Sequence, residues 1–365
     1  MPLSLRQAAG SLLIAGLEGS SLSALDCAWL RLIQPAGIIL FRRNIESAPQ
    51  TRSLLADATQ YCAPHHLRCI DLEGGLVDRL RDAIAPQPSA QSVVRTGRSA
   101  LMQKHGSLIA RECQAFGFNT TLAPVLDLGL PISAEVMRTR PAGPTPEAVT
   151  SYVQHFLAGL AAHKITGCAK HYPGLGGGTL DSHHHTPYID RTYQQIWIED
   201  LAPYRALRRQ LPMVMVSHAA YPRTRGGQRP ATVSPFWITT VLKQRMNYRG
   251  LIFSDDMEMG GILKAMPIEE AVPLAIRAGI HLVEICHSPE LILRAFESIL
   301  SQAERSPSFR KILLTRAAES RRLRARRFAD TPSRPPTPTQ LTRLAEEIRK
   351  FSSTVEAAQP IGAQA

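Results

Sequence analysis

The sequence predicts an α/β protein built as a single (β/α)8, TIM-like barrel with a C-terminal extension, and three observations carry that expectation. Short apolar runs recur eight times along the chain. Segments long enough for an amphipathic helix separate most of them. Polar residues gather at the C-terminal ends of the runs. Strands that alternate with helices imply parallel pairing, and eight such units in about 300 residues fit a closed barrel.

The eight strands are expected at residues 11–17, 37–41, 68–73, 120–125, 167–172, 213–218, 250–256 and 281–286, with helical segments such as 146–163 and 198–209 between them. An open doubly wound sheet would carry a glycine-rich turn after its first strand. Here that strand is followed by Glu18-Gly19-Ser20-Ser21, which is no dinucleotide fingerprint. The polar strand ends are Asp71 and Glu73, Asp127, Lys170 and His171, His218, and Asp255 and Asp256. In a parallel barrel that is the face where chemistry is assembled.

Residues 1–328 are therefore read as one catalytic domain that closes on a basic helix. The composition changes after Phe328: Thr331-Pro332-Ser333-Arg334-Pro335-Pro336-Thr337-Pro338 reads as a proline-rich linker. Residues 329–365 are expected to be linker and flexible tail, with a short helix possible at 340–351.

The bulk numbers exclude several classes. The chain has 365 residues, 44% of them hydrophobic, but no apolar run long enough for a membrane span. Its first residues lack the features of a signal peptide. Six scattered cysteines without a CxxC pair read as reduced thiols, so a cytoplasmic location and no stable membrane association are expected. The net charge is +12, but residues 310–327 hold eight Lys or Arg against one acid, Glu319. That local excess reads as a solvated helix face, not a nucleic-acid surface. The oligomeric state stays open, with a monomer as the simplest expectation.

The densest chemistry lies in Lys170-His171-Tyr172-Pro173-Gly174, a glycine-rich run, and Asp181-Ser182-His183. Glycines allow such a loop to move and to take positive φ. A carboxylate two residues from an imidazole can orient the ring and favour its charged form. The loop thus offers a general acid/base, and Ser254-Asp255-Asp256 offers a matching carboxylate. The tract His183-His184-His185 could also suggest zinc. No well-spaced ligand set accompanies it, so neither a metal nor another cofactor is expected.

Several long motifs occur in one order: Gly37-Ile38-Ile39-Leu40-Phe41, Asp71-Leu72-Glu73-Gly74-Gly75-Leu76-Val77-Asp78-Arg79, Ala123-Pro124-Val125-Leu126-Asp127, the Lys170 and Asp181 motifs, and Ser254-Asp255-Asp256-Met257. With these, residues 10 to 300 resemble glycoside hydrolase family 3, and more narrowly its bacterial cytoplasmic β-N-acetylglucosaminidases of peptidoglycan recycling (the NagZ type). The resemblance implies a retaining exo-β-N-acetylglucosaminidase acting on muropeptide fragments. Asp255 would be the nucleophile, His183 the acid/base and Asp181 its orienting partner. Asp71, Arg79, Arg140, Lys170 and His171 would bind the sugar.

Arg138 competes with Arg140 for its place, because Arg140-Pro141-Ala142-Gly143 departs from the family pattern. Leu72, Leu76 and Leu175 are further departures. Asp255 and Asp256 are adjacent on a strand and so are expected to face opposite ways. His218 is expected to pack behind the site. A family 3 enzyme of other sugar specificity, a GlcNAc phosphorylase, and a barrel that only binds muropeptides remain as alternatives.

Overall fold

The computed structural model describes residues 3–180, 186–328 and 333–358. Its strands are β1 (Leu13–Gly16), β2 (Gly37–Leu40), β3 (Leu67–Ile70), β4 (Leu72–Gly74), β5 (Val77–Asp78), β6 (Thr120–Thr121), β7 (Thr166–Tyr172), β8 (Met213–Val216), β9 (Leu251–Asp256) and β10 (Leu282–Ile285). Eight of them close a parallel barrel in the order β1-β10-β9-β8-β7-β6-β3-β2, while β4 and β5 form a small antiparallel pair. Most barrel strands are buried along their whole length. That follows from helices covering the outside while side chains fill the inside.

Alternation along the strands separates two cores. Ile14, Ile39, Cys69, Cys168, Met213, Phe253 and Leu282 fill the barrel. A larger layer, with Trp29, Leu108, Phe156, Trp237 and Phe296, lies between the strands and the helices. None of the six cysteines is in a disulfide. Among the described residues, no helix is long and apolar enough to cross a membrane.

Two expected strands differ in detail. The run 68–73 divides at Asp71, where the chain leaves β3 and enters the β4–β5 hairpin. The run 120–125 forms a regular ladder only at Thr120 and Thr121. Pro124 has no N–H to continue it. The chain nevertheless stays beside β7: Lys170 N donates to Pro124 O (3.1 Å) and Leu126 N to Lys170 O (2.6 Å). This alignment brings Asp127 next to His171.

The C-terminal segment differs from the flexible tail expected there. Pro338–Ala357 is a 20-residue helix whose Thr337 cap and Gln340 bond each other's backbone N–H groups. Its apolar stripe, Leu344, Ile348, Phe351 and Val355, is buried. Phe351 stacks on His105 at 6.0 Å between ring centroids, and Glu347 accepts from Arg111 at 2.6 Å. The preceding helix, Pro307–Ala325, carries the basic excess. It buries Phe309, Leu313, Ala317 and Leu323, and Arg324 donates inward to the carbonyls of Pro64 and His65.

Phe351→Ala should therefore cost about 3 kcal/mol of stability, the usual penalty for emptying a buried aromatic site. Urea unfolding followed by circular dichroism checks this. An unchanged midpoint would mean that the helix contributes no packing.

Candidate active site

A cavity of about 420 Å³ opens at the C-terminal ends of the barrel strands, within the range of about 300–1,000 Å³ usual for small-ligand pockets. Its wall is organised around Lys170, the fifth residue of β7. Alternation points this residue into the barrel, and it is only 3% exposed. Its Nζ lies 2.8 Å from Asp71 Oδ1 and 2.7 Å from Glu73 Oε1.

Arg140 grips the same Glu73 with two hydrogen bonds, Nε to Oε2 (2.9 Å) and Nη2 to Oε1 (2.8 Å). Such a fork is rigid as well as strong. Arg79 approaches the other side of Asp71 at 3.5 Å and lies over the Phe41 ring.

These contacts decide the charge states. Burial alone would push the Asp71 and Glu73 carboxyls up. Lys170 and Arg79 outweigh it at Asp71, and Arg140 and Lys170 outweigh it at Glu73, which falls to about 2. Burial likewise opposes the Lys170 ammonium and the Arg140 guanidinium. The facing carboxylates prevail and hold both above their ordinary values. Glu73 is thus a fixed anion with both oxygens engaged, unsuited to passing a proton near neutral pH.

His171 is held from two sides. Its Nδ1 lies 2.6 Å from Asp127 Oδ2, and its Nε2 lies 3.3 Å from Arg140 Nη2. A carboxylate can only accept and a guanidinium can only donate, so Nδ1 carries the proton and Nε2 offers a lone pair. The other oxygen of Asp127 accepts from Leu175 N (2.7 Å), which ties the start of the glycine-rich loop to the site. That loop is packed closely over residues 174–178. Gly174 has φ +136°, and a Cβ there would meet the Asp200 side chain at 2.7 Å. A Cβ on Gly176 would meet Leu128 O at 2.6 Å. Close approach as well as backbone freedom therefore calls for glycine here. Asp181 and His183, with His184 and His185, lie outside the described residues.

Asp255 is the penultimate residue of β9 and lines the cavity. Its Oδ1 accepts from the next backbone N–H at 3.0 Å. The expectation that Asp256 would face away is not met, because it lines the cavity too. The reason is an irregularity between β9 and β10. Phe253 pairs with Leu282, but Asp256, three residues on, pairs with Glu284, only two on. Such a bulge re-aims side chains, and Ser254 Oγ fills it by accepting from Glu284 N (2.9 Å). Asp256 Oδ1 accepts from Glu258 N (3.0 Å). His218 lies behind: its Nε2 donates to Asp256 O and its Nδ1 bonds Thr232 Oγ1, each at 2.8 Å. Burial holds its imidazole below the ordinary value.

The pattern of the glycosyl hydrolase family 3 N-terminal domain matches residues 16–311. This chain belongs to glycoside hydrolase family 3. A β-hexosaminidase of Methylococcus capsulatus is 33% identical over 300 residues, which is 81% of this chain and 89% of that protein. The solved family 3 β-N-acetylglucosaminidase of Paenibacillus sp. FPU-7 superposes with a TM-score of 0.85 at 28% identity, covering 96% of this chain and 69% of that one. NagZ of Neisseria gonorrhoeae shares the fold at a TM-score of 0.75 and 24% identity, covering 96% of this chain and 98% of that one.

The (β/α)8 expectation for a family 3 member holds. Asp71, Arg79, Arg140, Lys170, His171 and Asp255 all line one cavity. Arg140 occupies the site, whereas Arg138 is exposed. Of the departures, Leu72 is buried in the core, Leu76 is exposed, and Leu175 lines the cavity.

Sequence reasoning missed Glu73 as the partner of Arg140 and Lys170, Asp127 as the anchor of His171, and Glu284 on the cavity wall. A lone acid within Leu282-Val283-Glu284-Ile285 was the available signal for the last. Among the described residues, Asp256, Cys286 and His287 bring possible metal-ligating atoms within 4.8 Å of one another. His287, however, is paired with Glu258 at 2.9 Å, and Asp256 and Glu258 raise its imidazole to about 9.

The Glu73 carboxyl falls from an ordinary 4.5 to about 2 on folding. A depressed acid stabilises the fold fully above its unfolded value, and this is lost as pH falls through the folded one. The shift corresponds to about 3 kcal/mol. Unfolding free energy should therefore drop between pH 5 and 2, and drop less steeply in Glu73→Gln, which starts lower. Equal slopes for the two proteins would show that Glu73 is not the anion described.

Proposed function

We propose that this protein is a retaining exo-β-N-acetylglucosaminidase that removes terminal β-linked GlcNAc from muropeptide fragments. The observation that carries the reading is a carboxylate, Asp255, with no cation in contact among the described residues, lining one cavity with a set of ordered polar groups. A terminal sugar needs such a wall: Asp71 and Arg79 would take hydroxyls, and Lys170, His171 and Arg140 the remaining polar edge. The names of the Methylococcus and Paenibacillus relatives support hexosaminidase activity. Reduced cysteines accord with a cytoplasmic site of action. Arg43, on the cavity rim, supplies positive charge suited to an acidic aglycone.

In this mechanism Asp255 attacks the anomeric carbon as the glycosidic bond breaks. His183, as imidazolium, gives its proton to the departing oxygen. The neutral imidazole then takes a proton from water, whose oxygen displaces Asp255 and restores the starting configuration. Asp181 would orient the ring and favour its charged form.

Nitrophenyl β-GlcNAc should be hydrolysed far faster than nitrophenyl β-glucoside, and added phosphate should give no glycosyl phosphate. The reverse outcomes would point to another sugar or to a phosphorylase. Asp255→Ala should lower kcat by at least about a thousandfold, and Asp256→Ala much less. A fluorinated GlcNAc donor should label Asp255 in peptide mass spectra, and a label on Asp256 would refute the assignment.

His183→Ala should slow a natural disaccharide far more than the nitrophenyl substrate, whose phenolate leaves without help. Azide should partly restore turnover by replacing the activated water. Equal losses on both substrates, with no azide effect, would remove His183 from the proton-transfer role.

A further inference from the structure

Glu284 has no part in the chemistry above, yet its position is unusual. It is the one charged residue of β10. Alternation sends Leu282, Glu284 and Cys286 into the barrel, and Leu282 and Cys286 join the interior cluster with Ile14, Cys69, Cys168 and Phe253. Glu284 is 2% exposed and lines the cavity together with Asp71, Lys170 and Asp255. Its backbone N–H is satisfied by Ser254 Oγ. Its side-chain Oε1 has no hydrogen-bond partner among the described residues. A buried polar atom without a partner costs stability, and no bond to Oε1 among the described residues holds the carboxyl back from turning that oxygen toward the cavity the residue lines.

We propose that Glu284 is a further substrate-binding residue, which hydrogen-bonds a hydroxyl of the bound sugar on the cavity floor, beside Asp71. The inference rests on the reading of this cavity as the sugar site.

The surroundings determine the form in which it acts. Asp71, Asp256 and Asp255 face it as acids, and the thiols of Cys69, Cys168 and Cys286 are held neutral by burial. The nearby cation, Lys170, is already shared between Asp71 and Glu73. Burial first, and then the neighbouring acids, push the Glu284 carboxyl well above the usual range. That direction favours the protonated form, which has one O–H to donate and lone pairs to accept. In that form it suits a neutral hydroxyl and adds no charge beside Asp255.

Two near-isosteric variants test this. Glu284→Gln keeps a donor and an acceptor, and Glu284→Leu keeps the bulk without polar atoms. Calorimetry with GlcNAc and kinetics on nitrophenyl β-GlcNAc are the readouts, with thermal unfolding as the check on folding. The Gln variant should stay within about threefold of wild type in Kd and KM. The Leu variant should lose at least about tenfold in both, as expected when a buried hydrogen bond to a ligand is removed, with Tm equal to or above wild type.

Unchanged GlcNAc affinity in Glu284→Leu would overturn the proposal. So would a Gln variant as impaired as the Leu variant, because the ionised or proton-transferring carboxyl would then be what matters. Wild-type protein that binds GlcNAc without hydrolysing it would sink the hydrolase reading while leaving the Kd comparison decisive. Protein that binds no GlcNAc would sink both.

Discussion

The site depends on one buried ammonium. Lys170 Nζ lies 2.8 Å from Asp71 and 2.7 Å from Glu73, and joins the strand that carries it to the loop that follows β3. Without that cation two carboxylates would face each other in a poorly solvated wall. Burying an ion pair is of little net benefit, but removing one partner leaves an uncompensated charge and typically costs about 3–5 kcal/mol. The wall therefore holds together as a unit. Arg140 extends it from Glu73 to His171, and Asp127 extends it from His171 to the glycine-rich loop. A connected set of this kind keeps its geometry when empty, so little ordering is left for the ligand to impose.

The opposite wall follows another logic. Asp255 has no cation in contact among the described residues, and its Oδ1 meets only the next backbone N–H. The irregular pairing of β9 with β10 aims both Asp255 and Asp256 at the cavity. Bonds from Glu258 N and the proximity of His287 occupy Asp256. Among the described residues, two adjacent acids thus differ because one is held by Glu258 N and His287 and the other meets only a neighbouring backbone N–H. Glu284 adds a third acid nearby, whose carboxyl burial pushes well above the usual range. Negative charge is opposed in this layer by burial on one side and balanced by pairing on the other.

Several residues show how far the sequence could be read. Asp71, Lys170, His171 and Asp255 were visible because polar residues at the ends of apolar runs have one natural place in a parallel barrel. Arg140 was visible only as one of two arginines. The short turn around it carries no periodicity, and the choice was made by the reach of its side chain to Glu73. The docked C-terminal helix was read as a tail because the proline-rich stretch before it resembles a linker. The partner that stabilises it, the His105 face of a distant helix, has no mark in the local sequence.

The sequence by itself determined the alternation of strands and helices, the family, and the residue types at each strand end, since these follow from local periodicity and motif order. Only the tertiary structure decided which charges pair, that Glu73 is a fixed anion, that Asp256 shares the cavity with Asp255, and that Glu284 is buried with no partner for Oε1 among the described residues. Those outcomes depend on contacts between residues far apart in the chain, from 30 positions for Ser254 and Glu284 to 99 for Asp71 and Lys170. Burial and pairing set the energy of a charge, and neither is encoded in its immediate neighbours.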